Sequence, residues 1–545
     1  MNEQVVIVGA GPVGMLLACE LLQQHIPVRL VDAAREHSAH SRATIVWPRL
    51  LELMRRTDMT ERLAANGHRI DGVAYFSSGR RLGTAWMNRL TDTPYPFAVA
   101  IAQSETERLL EDRLTELGGK IERGVRLTGV RNPRGPRPTA VLTTADGGTE
   151  EVDTDWLIGA DGAHSVVRGL LDAGFEGEQF DVSFAITDAE VHGDAPMNVV
   201  SYCYTPDGSL ALGPLGSDVT RVAVSVPHPE DDTPPSREFF QRILDERGPG
   251  RNAIGELRFS TTFRIHARTA GRFRSGHCLL AGDAAHIMSP AGAQGMNTGL
   301  QDAVNLGWRL GGIINGLLPE SAITGYDRER RSAAHAVARN TSRQTRWGLL
   351  RKGSQIAVRD AALRTAAATG LLQRSIAPLV AQTAVRYPAA DGRPAGHRLP
   401  GARTRTGDRL PVLPTGPIGA SGAAKTTGAA GITDTADNSL RIGGRLWART
   451  ADDTLTVLLW PGRRPGARWA ETVRRVTAAA APHAAVVTPA AAPGPLADAL
   501  GHRATIAVVR PDGHLLTALA PDRVAELPAV LAAAHAHPDP APYPS

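Results

Sequence analysis

The feature that most constrains the fold is the stretch VVIVGAGPVGMLLACELLQQHIPVRLVD, which runs from Val5 to Asp32. Residues 4–9 are a continuous apolar run that predicts a buried strand, residues 12–25 predict a helix, and residues 27–32 predict a second strand. This order predicts a parallel βαβ unit, because two parallel strands need a crossover helix between them. The predicted fold class is α/β, built on a Rossmann-like domain.

Three glycines in this unit, Gly9, Gly11 and Gly14, have the spacing G-x-G-x-x-G at the junction of strand and helix. The first allows a tight turn, the second lets the backbone approach a pyrophosphate group, and the third lets helix and strand pack closely. Asp32 ends the second strand, where a carboxylate accepts hydrogen bonds from a ribose diol. Because an acid at this position disfavours a 2′-phosphate, the residues predict bound FAD or NAD rather than NADP.

Composition argues against several other classes of protein. The 545 residues are enough for about three domains, and the net charge of +5 comes without a dense basic block, so no nucleic-acid partner is expected. The three cysteines, Cys19, Cys203 and Cys278, are far apart and indicate neither a disulfide framework nor a metal site. No apolar stretch approaches the roughly 18 residues that cross a bilayer. We therefore expect a cytoplasmic protein with no membrane partner.

Two more motifs follow along the chain. WLIGADGAHSVVR contains Asp161 and Gly162, and GHCLLAGDAAHIMSPAGAQGMNTGLQDAVNLGWRL runs from a strand predicted at 278–283 through a helix predicted at 299–316. In this order and at these separations, the three motifs resemble those of class A flavoprotein monooxygenases with the para-hydroxybenzoate hydroxylase fold. The resemblance covers about residues 4–385. The C-terminal part is similar to the subgroup of aromatic polyketide hydroxylases, phenol hydroxylases and rifampicin monooxygenase.

The resemblance implies that the dinucleotide is FAD, and that NADPH or NADH docks transiently to reduce it. It also implies reaction with O2 to a C4a-hydroperoxyflavin, which hydroxylates an electron-rich aromatic ring. The loop from Pro290 to Asn297 would turn its N–H groups and the dipole of the next helix toward the flavin, where negative charge develops on reduction. The residues predicted to hold FAD, from the glycine motif and from the resemblance, are Gly9, Gly11, Pro12, Gly14, Asp32, Arg42, Gln103, Leu127, Asp161, Gly162, Asp283, Pro290, Gly295, Met296 and Asn297.

Domain boundaries follow from changes in composition. Alternating β-type runs between residues 176 and 275 predict an antiparallel sheet, and a Gly/Ala/Thr-rich loop at 414–438 precedes a small α/β region. The predicted domains are a discontinuous FAD-binding domain (1–175 and 276–385), a substrate-binding β-sheet domain inserted into it (176–275), a C-terminal thioredoxin-like domain lacking CxxC (390–536) and a disordered tail (537–545). The thioredoxin-like assignment comes from the resemblance. Without a cysteine pair, this domain is expected to serve in packing or dimer contact.

The sheet at 176–275 is expected to wall the substrate cleft. The candidate lining residues are Trp86, Phe97, Tyr202, Tyr204, Leu212 and Pro214. His286 follows Asp283 closely and is the histidine expected near the flavin, but no residue is assigned as a base that deprotonates a phenol. By analogy with the subgroup, the substrate is expected to be a polycyclic, polyketide-type aromatic molecule, and the protein a monomer or homodimer.

Other functions stay open at this point. The same scaffold supports Baeyer–Villiger oxygen insertion, which product NMR separates from hydroxylation, and it also supports oxidation that inactivates an antibiotic. An NAD-dependent dehydrogenase belongs to a different class, as does a non-catalytic protein that binds flavin or another ligand. Flavin absorbance of the purified protein would exclude the dehydrogenase. Substrate-stimulated NAD(P)H oxidation would exclude the non-catalytic protein.

Overall fold

The computed structural model describes residues 2–36, 43–216, 219–228, 233–388, 404–411, 455–462, 468–480, 484–487 and 494–535. The chain divides into two compact units. The first comprises Met1–Leu90, Pro96–Leu310 and Ile323–Val385, and the second comprises Thr91–Tyr95, Gly311–Ala322 and Arg386–Ser545. The segments predicted to bind FAD and substrate therefore lie mostly in the first unit, and the segment predicted as the C-terminal domain lies in the second.

The elements are numbered in chain order over the described residues. The strands are β1 (Asn2–Val8), β2 (Val28–Asp32), β3 (Ile45–Val46), β4 (His68–Ile70), β5 (Gly72–Ser77), β6 (Arg80–Trp86), β7 (Ala98–Ala100), β8 (Ile121–Arg123), β9 (Arg126–Arg131), β10 (Thr139–Thr143), β11 (Thr149–Gly159), β12 (Glu176–Gly193), β13 (Val199–Thr205), β14 (Gly208–Gly216), β15 (Val219–Val226), β16 (Asn252–Thr269), β17 (Arg274–Ser275), β18 (Cys278–Leu280), β19 (His286–Ile287), β20 (Leu455–Trp460), β21 (Ala484–Val487), β22 (Thr505–Val509) and β23 (Leu515–Leu519). The α-helices are α1 (Pro12–Leu22), α2 (Pro48–Met54), α3 (Met59–Asn66), α4 (Gln103–Glu116), α5 (Val166–Leu170), α6 (Arg237–Arg247), α7 (Gly295–Ile314), α8 (Thr324–Gly348), α9 (Gly353–Ala368), α10 (Ala377–Val380), α11 (Trp469–Ala480), α12 (Gly494–Leu500) and α13 (Leu527–His535). Short 3₁₀ or π turns occur at Arg55–Thr57, Met87–Arg89, Gly282–Ala284, Glu320–Ile323, Leu372–Ile376 and Pro521–Glu526.

The first sheet is built around β1, whose residues Val5, Val6 and Ile7 are fully buried. β1 pairs in parallel with β2 on one side and with β11 on the other, and β18 pairs in parallel with β11. The strand order is β17-β18-β11-β1-β2-β8, with β10 paired to β11 and β9 paired to β10. Continuous apolar strands are typical of parallel sheets covered on both faces, and the predicted βαβ unit is confirmed as β1, α1 and β2.

Two helices begin or end at residues other than those predicted from the sequence, because of the local backbone conformation or hydrogen bonding. The helical stretch expected at about 48–66 is broken at Asp58, which has a left-handed φ of 57° and separates α3 from the turn before it. The helix expected at 299–316 begins earlier, at Gly295, because the Gln294 carbonyl already accepts a hydrogen bond from the Thr298 N–H at 3.0 Å. The loop that carries the third motif is therefore shorter than expected.

The second sheet has the strand order β19-β16-β12-β15-β14-β13-β5-β6. The two long strands, β12 and β16, pair antiparallel along their length, as the prediction for residues 176–275 requires. The sheet also extends beyond that range, because β5 pairs in parallel with β13 and brings β6 with it. Parallel partners distant in sequence leave no local signal, so the prediction omitted these two strands.

The second sheet separates two apolar clusters by the alternation of its side chains. On β13, Val199 and Cys203 belong to the cluster that includes Phe240 of α6, whereas Tyr202 and Tyr204 belong to the cluster on the opposite face. Successive residues of a strand point to opposite faces, which explains the division. The face that carries Tyr202 also lines the cavity described below.

The second unit contains a four-stranded sheet of order β21-β20-β22-β23, accompanied by α11, α12 and α13. The strands expected at 454–460 and 504–509 are observed as β20 and β22, and the helix expected at 466–480 as α11. The thioredoxin-like assignment stays a prediction. The loop predicted at 414–438 and the tail predicted at 537–545 lie outside the described residues. Within the described ranges, no helix combines the length and the apolar character that a bilayer crossing needs.

Candidate functional site

The glycine turn after β1 is built as its spacing predicts. Gly9 has a left-handed φ of 105°, and a Cβ atom placed on it would lie 2.4 Å from the Ala160 carbonyl oxygen. A Cβ atom on Gly14 would lie 1.9 Å from the Gly9 carbonyl oxygen, so α1 packs directly on the turn. At Gly11 the same atom would meet nothing within 4 Å, and this residue faces a large cavity. The first and third glycines thus serve packing, and the second leaves room for a ligand.

That cavity has a volume of about 930 Å³ and lies within the first unit. It is lined by residues of the three motifs and by residues of the second sheet. The sequence-predicted residues that line it are Gly11, Pro12, Gln103, Gly162, Asp283, Pro290, Gly295, Met296, Tyr202 and Tyr204. Arg42 lies outside the described residues.

The Asp32 carboxylate stabilises the glycine turn by accepting hydrogen bonds from backbone N–H groups. Its Oδ2 accepts a hydrogen bond from the Ala10 N–H at 2.6 Å, and its Oδ1 accepts one from the Ala34 N–H at 2.7 Å. It does not line the cavity, so contact with a ribose stays a prediction. Leu127 is also away from the cavity: it is buried in β9, opposite Leu142 of β10, and its contact with FAD stays a prediction.

Asp161 forms hydrogen bonds within the chain and does not line the cavity. Its carboxylate accepts hydrogen bonds from the Ser165 hydroxyl at 2.5 Å and from the N–H groups of Val166 and Val167 at 2.7 and 3.1 Å. These groups form the beginning of α5, where unpaired N–H groups need acceptors. Gly162 lines the cavity and Asp161 does not, so the contact of Asp161 with FAD stays a prediction.

The loop from Pro290 to Gln294 is held by two side chains that it does not contain. The Trp47 indole donates from Nε1 to the carbonyl oxygens of Gly292 and Ala293, at 3.0 and 3.1 Å. Asn297 accepts from the Trp47 N–H at 2.8 Å and donates from Nδ2 to the Ala293 carbonyl at 3.0 Å. Asn297 is fully buried and does not line the cavity, so its side chain positions the loop, and its flavin contact stays a prediction.

His286 is buried beside the same loop, in a charged network that the sequence did not indicate. Its Nε2 lies 2.6 Å from Oδ2 of Asp302, whose Oδ1 accepts from Arg330 at 2.6 Å. The Gly282 N–H also donates to Asp302, at 3.0 Å. Burial opposes ionisation of Asp302, but His286 and Arg330 together hold its pKa below the ordinary value. His286 does not line the cavity, so it supports the turn that carries Asp283.

Two further side chains shape the cavity near the nucleotide motifs. Gln103 begins α4; its Oε1 accepts from the Ala43 N–H at 3.1 Å, and its Nε2 donates to Glu107 at 2.8 Å. Arg168 donates to the Ala284 carbonyl at 3.0 Å and lies over the Phe175 ring, with its guanidinium carbon 3.8 Å from the ring centre. Burial lowers the pKa of Arg168 from its ordinary value.

The second sheet contributes to the cavity wall a row of residues that crosses its strands. Tyr202 pairs with Ala211, Ala211 with Ala223, and Ala223 with Ile186, and all four line the cavity. Ala211 and Gly213 of β14 line the cavity, whereas Leu212 between them lies in the cluster of α6 on the other face. The expectation that Leu212 and Pro214 line the cleft is therefore corrected by one position in the strand's alternation.

The other two aromatic candidates also lie away from the cavity. Trp86 packs at the edge of the α6 cluster, and its backbone N–H donates to Gln373 at 3.1 Å. Phe97 lies under the Arg69 guanidinium, whose central carbon is 4.3 Å from the ring centre. Residues that sequence reasoning missed include Phe184, Phe263, Gln344 and Gly348, since their strands and helix meet only in the fold.

The described residues fit FAD. The N-terminus of α1 reaches the cavity through Gly11 and Pro12, and the N-terminus of α7 reaches it through Gly295 and Met296. Helix N-termini present unpaired N–H groups and a positive dipole end, which suit a pyrophosphate and a ring that gains negative charge. No cluster of metal-ligating side chains occurs among the described residues.

Comparison with known protein families shows that the chain belongs to a family of FAD-binding proteins. The family model described as FAD binding domain (FAD_binding_3) matches residues 2–341, which is more than half of the chain. Its span includes β1, the Asp161 motif and the loop from Pro290 to Gln294.

Several characterised relatives are monooxygenases. The chain is 38% identical over 337 residues to 6-methylpretetramide 4-monooxygenase of Streptomyces rimosus, a match that covers 60% of this chain and 59% of that protein. It is 32% identical over 406 residues to rifampicin monooxygenase of Streptomyces venezuelae, covering 74% of this chain and 82% of that protein.

Solved structures agree with these matches. OxyS anhydrotetracycline hydroxylase from Streptomyces rimosus superposes with a TM-score of 0.71 at 29% identity, over 96% of each chain. The flavin-dependent monooxygenase PieE, solved with FAD and substrate, superposes with a TM-score of 0.76 over 99% of this chain and 100% of its own, and at 21% identity this likeness shows the fold alone. The predicted fold class and the predicted resemblance to class A aromatic monooxygenases are confirmed.

Proposed function

Because this chain belongs to the FAD binding domain family and is similar to flavin-dependent aromatic monooxygenases, we propose that it hydroxylates a polycyclic, polyketide-type aromatic substrate, with NADPH or NADH and O2 as co-substrates. Its class, an FAD-dependent monooxygenase, follows from those matches. The proposal adds the substrate class and the co-substrates. The balanced reaction takes up the aromatic substrate, O2, NAD(P)H and a proton, and it yields the hydroxylated product, NAD(P)⁺ and water.

One observation carries the proposal: a single cavity of about 930 Å³ is lined both by the nucleotide motifs and by the second sheet. Gly11 and Gly162 represent the first set of residues, and Tyr202 and Ile186 represent the second. A ligand held along the motifs would therefore share its space with a molecule lying on the sheet. Oxygen transfer between two bound molecules needs this proximity.

FAD, when bound, supplies the transfer of one oxygen atom from O2 after it has been reduced by NAD(P)H. The chain's own contribution is to hold and orient. The N–H groups at the beginning of α1 and α7 would bind the cofactor, and Trp47 and Asn297 keep the loop before α7 in one conformation. The apolar row from Tyr202 to Ile186 would orient a flat aromatic ring and exclude water from it.

The proposal is tested with purified protein, its visible absorbance and a panel of polycyclic phenols and quinones. We expect a yellow protein whose NADPH oxidation is accelerated by some members of the panel, with products 16 mass units heavier than the substrates. Omission of O2 under argon is the control, since it should stop product formation. A colourless protein that does not take up added FAD would contradict the cofactor, and absence of stimulated NADPH or NADH oxidation would contradict the reaction.

The match to rifampicin monooxygenase supports a second candidate substrate, rifampicin itself, since that alignment extends over 82% of the relative. Rifampicin is therefore included in the panel beside the polycyclic phenols. Preferential turnover of rifampicin would replace polyketide hydroxylation as the function. NMR of the product separates ring hydroxylation from Baeyer–Villiger insertion, because both add one oxygen atom.

A reducing cytosol is the proposed site of action. All three cysteines are buried and unpaired, and burial raises the pKa of Cys19 and Cys278 to about 12, which keeps their thiols protonated. Free thiols of this kind persist where disulfide formation is disfavoured. Fractionation of producing cells, followed by immunoblotting, is the check.

A further inference from the structure

Residues 330–385 concentrate positive charge in one part of the first unit. They include ten arginines and lysines and a single acidic residue, Asp360, so the segment has a net charge of +9, whereas the whole chain carries +5. Asp360 is buried and pairs with Arg359 at 2.8 Å, so it offers little negative charge to the surface. The segment contains most of α8 and all of α9 and α10.

Most of this charge is exposed and has no counter-charge. The exposed cations of the segment are Arg339, Arg343, Arg346, Arg351, Lys352, Arg364 and Arg374. Among the described residues, only Arg346 has a carboxylate partner, which is Glu178. Arg343 donates to the Asn340 side-chain oxygen, and Arg364 donates to a backbone carbonyl oxygen. The chain therefore leaves six exposed positive charges uncompensated in this region, and these attract anions.

Two of these cations lie where the helix dipole disfavours them. Arg351 and Lys352 directly precede α9, whose N-terminal end is the positive pole of its dipole. On α8, burial and then the charges of Arg331 and Arg339 lower the pKa of His335, which lies between them in the chain. Positive groups thus oppose one another here, and a negatively charged surface would relieve that repulsion.

Large apolar side chains are exposed among the cations. Val358 is 70% exposed, Leu371 is 51% exposed and Trp347 is 40% exposed, which makes three of the six large apolar side chains found exposed among the described residues. The exposed face of α9 continues from Val358 at helical spacing through Ala361, Ala362 and Thr365. Along the chain, the three apolar side chains alternate with the exposed cations.

α8 and α9 are in contact where one ends and the other begins. Arg359 of α9 donates to the Trp347 carbonyl oxygen at the end of α8, at 3.1 Å. The exposed residues on both sides of this junction therefore adjoin. The α8–α9 surface is defined here as the seven exposed cations together with Trp347, Val358 and Leu371. The same helix α8 lines the cavity through Thr345 and Gly348.

The pattern of charge and apolar groups favours one kind of partner. A two-fold contact with a second copy of the chain would place the same cations against one another. Protein interfaces gather their apolar groups in a centre with a polar rim, whereas here the two kinds of group are interleaved. Helices that lie in a membrane interface combine an exposed apolar face with flanking cations, and tryptophan favours the head-group level. Anionic phospholipids supply the missing negative charge.

We propose that the α8–α9 surface docks the protein on a membrane surface that contains anionic phospholipids. This goes beyond the proposed function and does not depend on it. It replaces the sequence-based expectation of no membrane partner, which considered only stretches that span a bilayer. The cytoplasmic leaflet is the anionic one, in agreement with the reducing cytosol proposed above. Docking would bring the α8 wall of the cavity close to the bilayer, where apolar polycyclic molecules accumulate.

The test is co-sedimentation of the FAD-loaded full chain with vesicles. One set is pure phosphatidylcholine, and the other contains equal parts of phosphatidylcholine and phosphatidylglycerol. At low ionic strength we expect at least about tenfold stronger binding to the anionic vesicles. Most of this preference should be lost at about 0.5 M salt, because screening shortens the range of the attraction.

Variants of exposed residues locate the binding surface. Arg351→Gln/Lys352→Gln should weaken binding to the anionic vesicles about tenfold or more. Lys120→Gln/Arg126→Gln, an exposed pair outside the surface, changes the net charge equally and should bind as the wild type does. Val358→Ser should weaken binding about threefold or more by removing an inserted apolar group, whereas Leu317→Ser, exposed in the second unit, should not.

Each outcome decides the proposal. Equal binding to both kinds of vesicle overturns it, as does an equal loss in the two charge variants. Poly-L-glutamate tests an acidic protein as the alternative partner: binding to it without binding to the anionic vesicles would also overturn the proposal. Stimulated NADPH oxidation is measured without vesicles, so vesicle binding without turnover would contradict the proposed function and leave the docking surface standing. Turnover without vesicle binding would do the reverse.

Discussion

Asn297 and Trp47 are joined by a hydrogen bond of 2.8 Å, from the Trp47 backbone N–H to the Asn297 side-chain oxygen. The Asn297 amide also donates to the Ile45 carbonyl at 2.7 Å. One buried side chain thus ties the beginning of α2 to the beginning of α7. The geometry of the cavity wall depends on this connection.

Replacement of this side chain tests its positioning role. We expect Asn297→Leu to lower the free energy of unfolding by about 2–4 kcal/mol, because it leaves several buried backbone groups without partners. Urea denaturation measures the loss, and FAD release measured by flavin fluorescence reports displacement of the loop. Asn315→Leu, at an exposed position, should change stability by no more than about 0.5 kcal/mol. Equal stability of the two variants would refute the role given to Asn297.

Two variants of the glycine turn should separate an effect on stability from an effect on FAD binding. Gly14→Ala should cost about 3 kcal/mol of stability, because its Cβ would lie 1.9 Å from the Gly9 carbonyl oxygen. Gly11→Ala should leave stability within about 0.5 kcal/mol, since φ is −73° and its Cβ meets nothing within 4 Å. It should nevertheless weaken FAD binding about tenfold or more, as its methyl group enters the cavity. Full FAD affinity in Gly11→Ala would place the cofactor elsewhere.

The buried Asp302 should make stability depend on acid pH. His286 and Arg330 hold the pKa of Asp302 below its ordinary value, although burial opposes this. The native state therefore binds this proton less readily than the unfolded state, so the contribution is complete above about pH 4 and is lost as the pH falls through the lowered pKa.

Asp302→Asn tests this contribution. We expect it to cost about 3–5 kcal/mol at pH 7, because Arg330 is left without its buried counter-charge. The difference from wild type should shrink on acidification below about pH 4, as followed by urea unfolding at a series of pH values. Asp245→Asn, on the exposed side of α6, should show neither effect. A difference that stays constant with pH would contradict the assignment.

The alternation of β14 can be checked with neighbouring positions. Leu212→Ala should cost about 2–5 kcal/mol, because Leu212 is almost fully buried in the cluster of α6. Ala211→Leu should change stability by less than about 1.5 kcal/mol, since its added atoms enter the cavity, but it should weaken binding of polycyclic aromatics. Thermal unfolding and ligand titration separate the two. The opposite pattern would mean that the strand presents its other face to the cavity.

In the loop before α7, Ala293 has a backbone conformation that is unfavourable for a residue with a Cβ atom. Ala293 has a left-handed φ of 50°, which favours glycine. We expect Ala293→Gly to raise the free energy of unfolding by up to about 1 kcal/mol. Gly292→Ala should lower it by at least a similar amount, because φ there is 84° and the new atom would lie 3.1 Å from Gln344. Denaturant midpoints of the two variants should move in opposite directions.

Much of the nucleotide-binding half was predictable because its signals are local. The strand, turn and helix from Val5 to Asp32 are specified by apolar runs and by glycines within one short stretch. Substrate-side residues were predicted less well. Tyr202 and Tyr204 line the cavity as expected, but Leu212 is one position out of phase, since alternation predicts two faces without saying which one meets the cavity.

The sequence by itself determined the Rossmann-like unit, the order of its motifs and hence the flavoprotein family, because each depends on residues near one another along the chain. Only the tertiary structure decided that β5 joins the second sheet, that the Asn297 side chain bonds to the backbone of Trp47 and Ile45, and that Gln344 reaches the cavity. These features arise where segments more than a hundred residues apart pack together. Such packing depends on the complementarity of whole surfaces, which no local pattern of residues records.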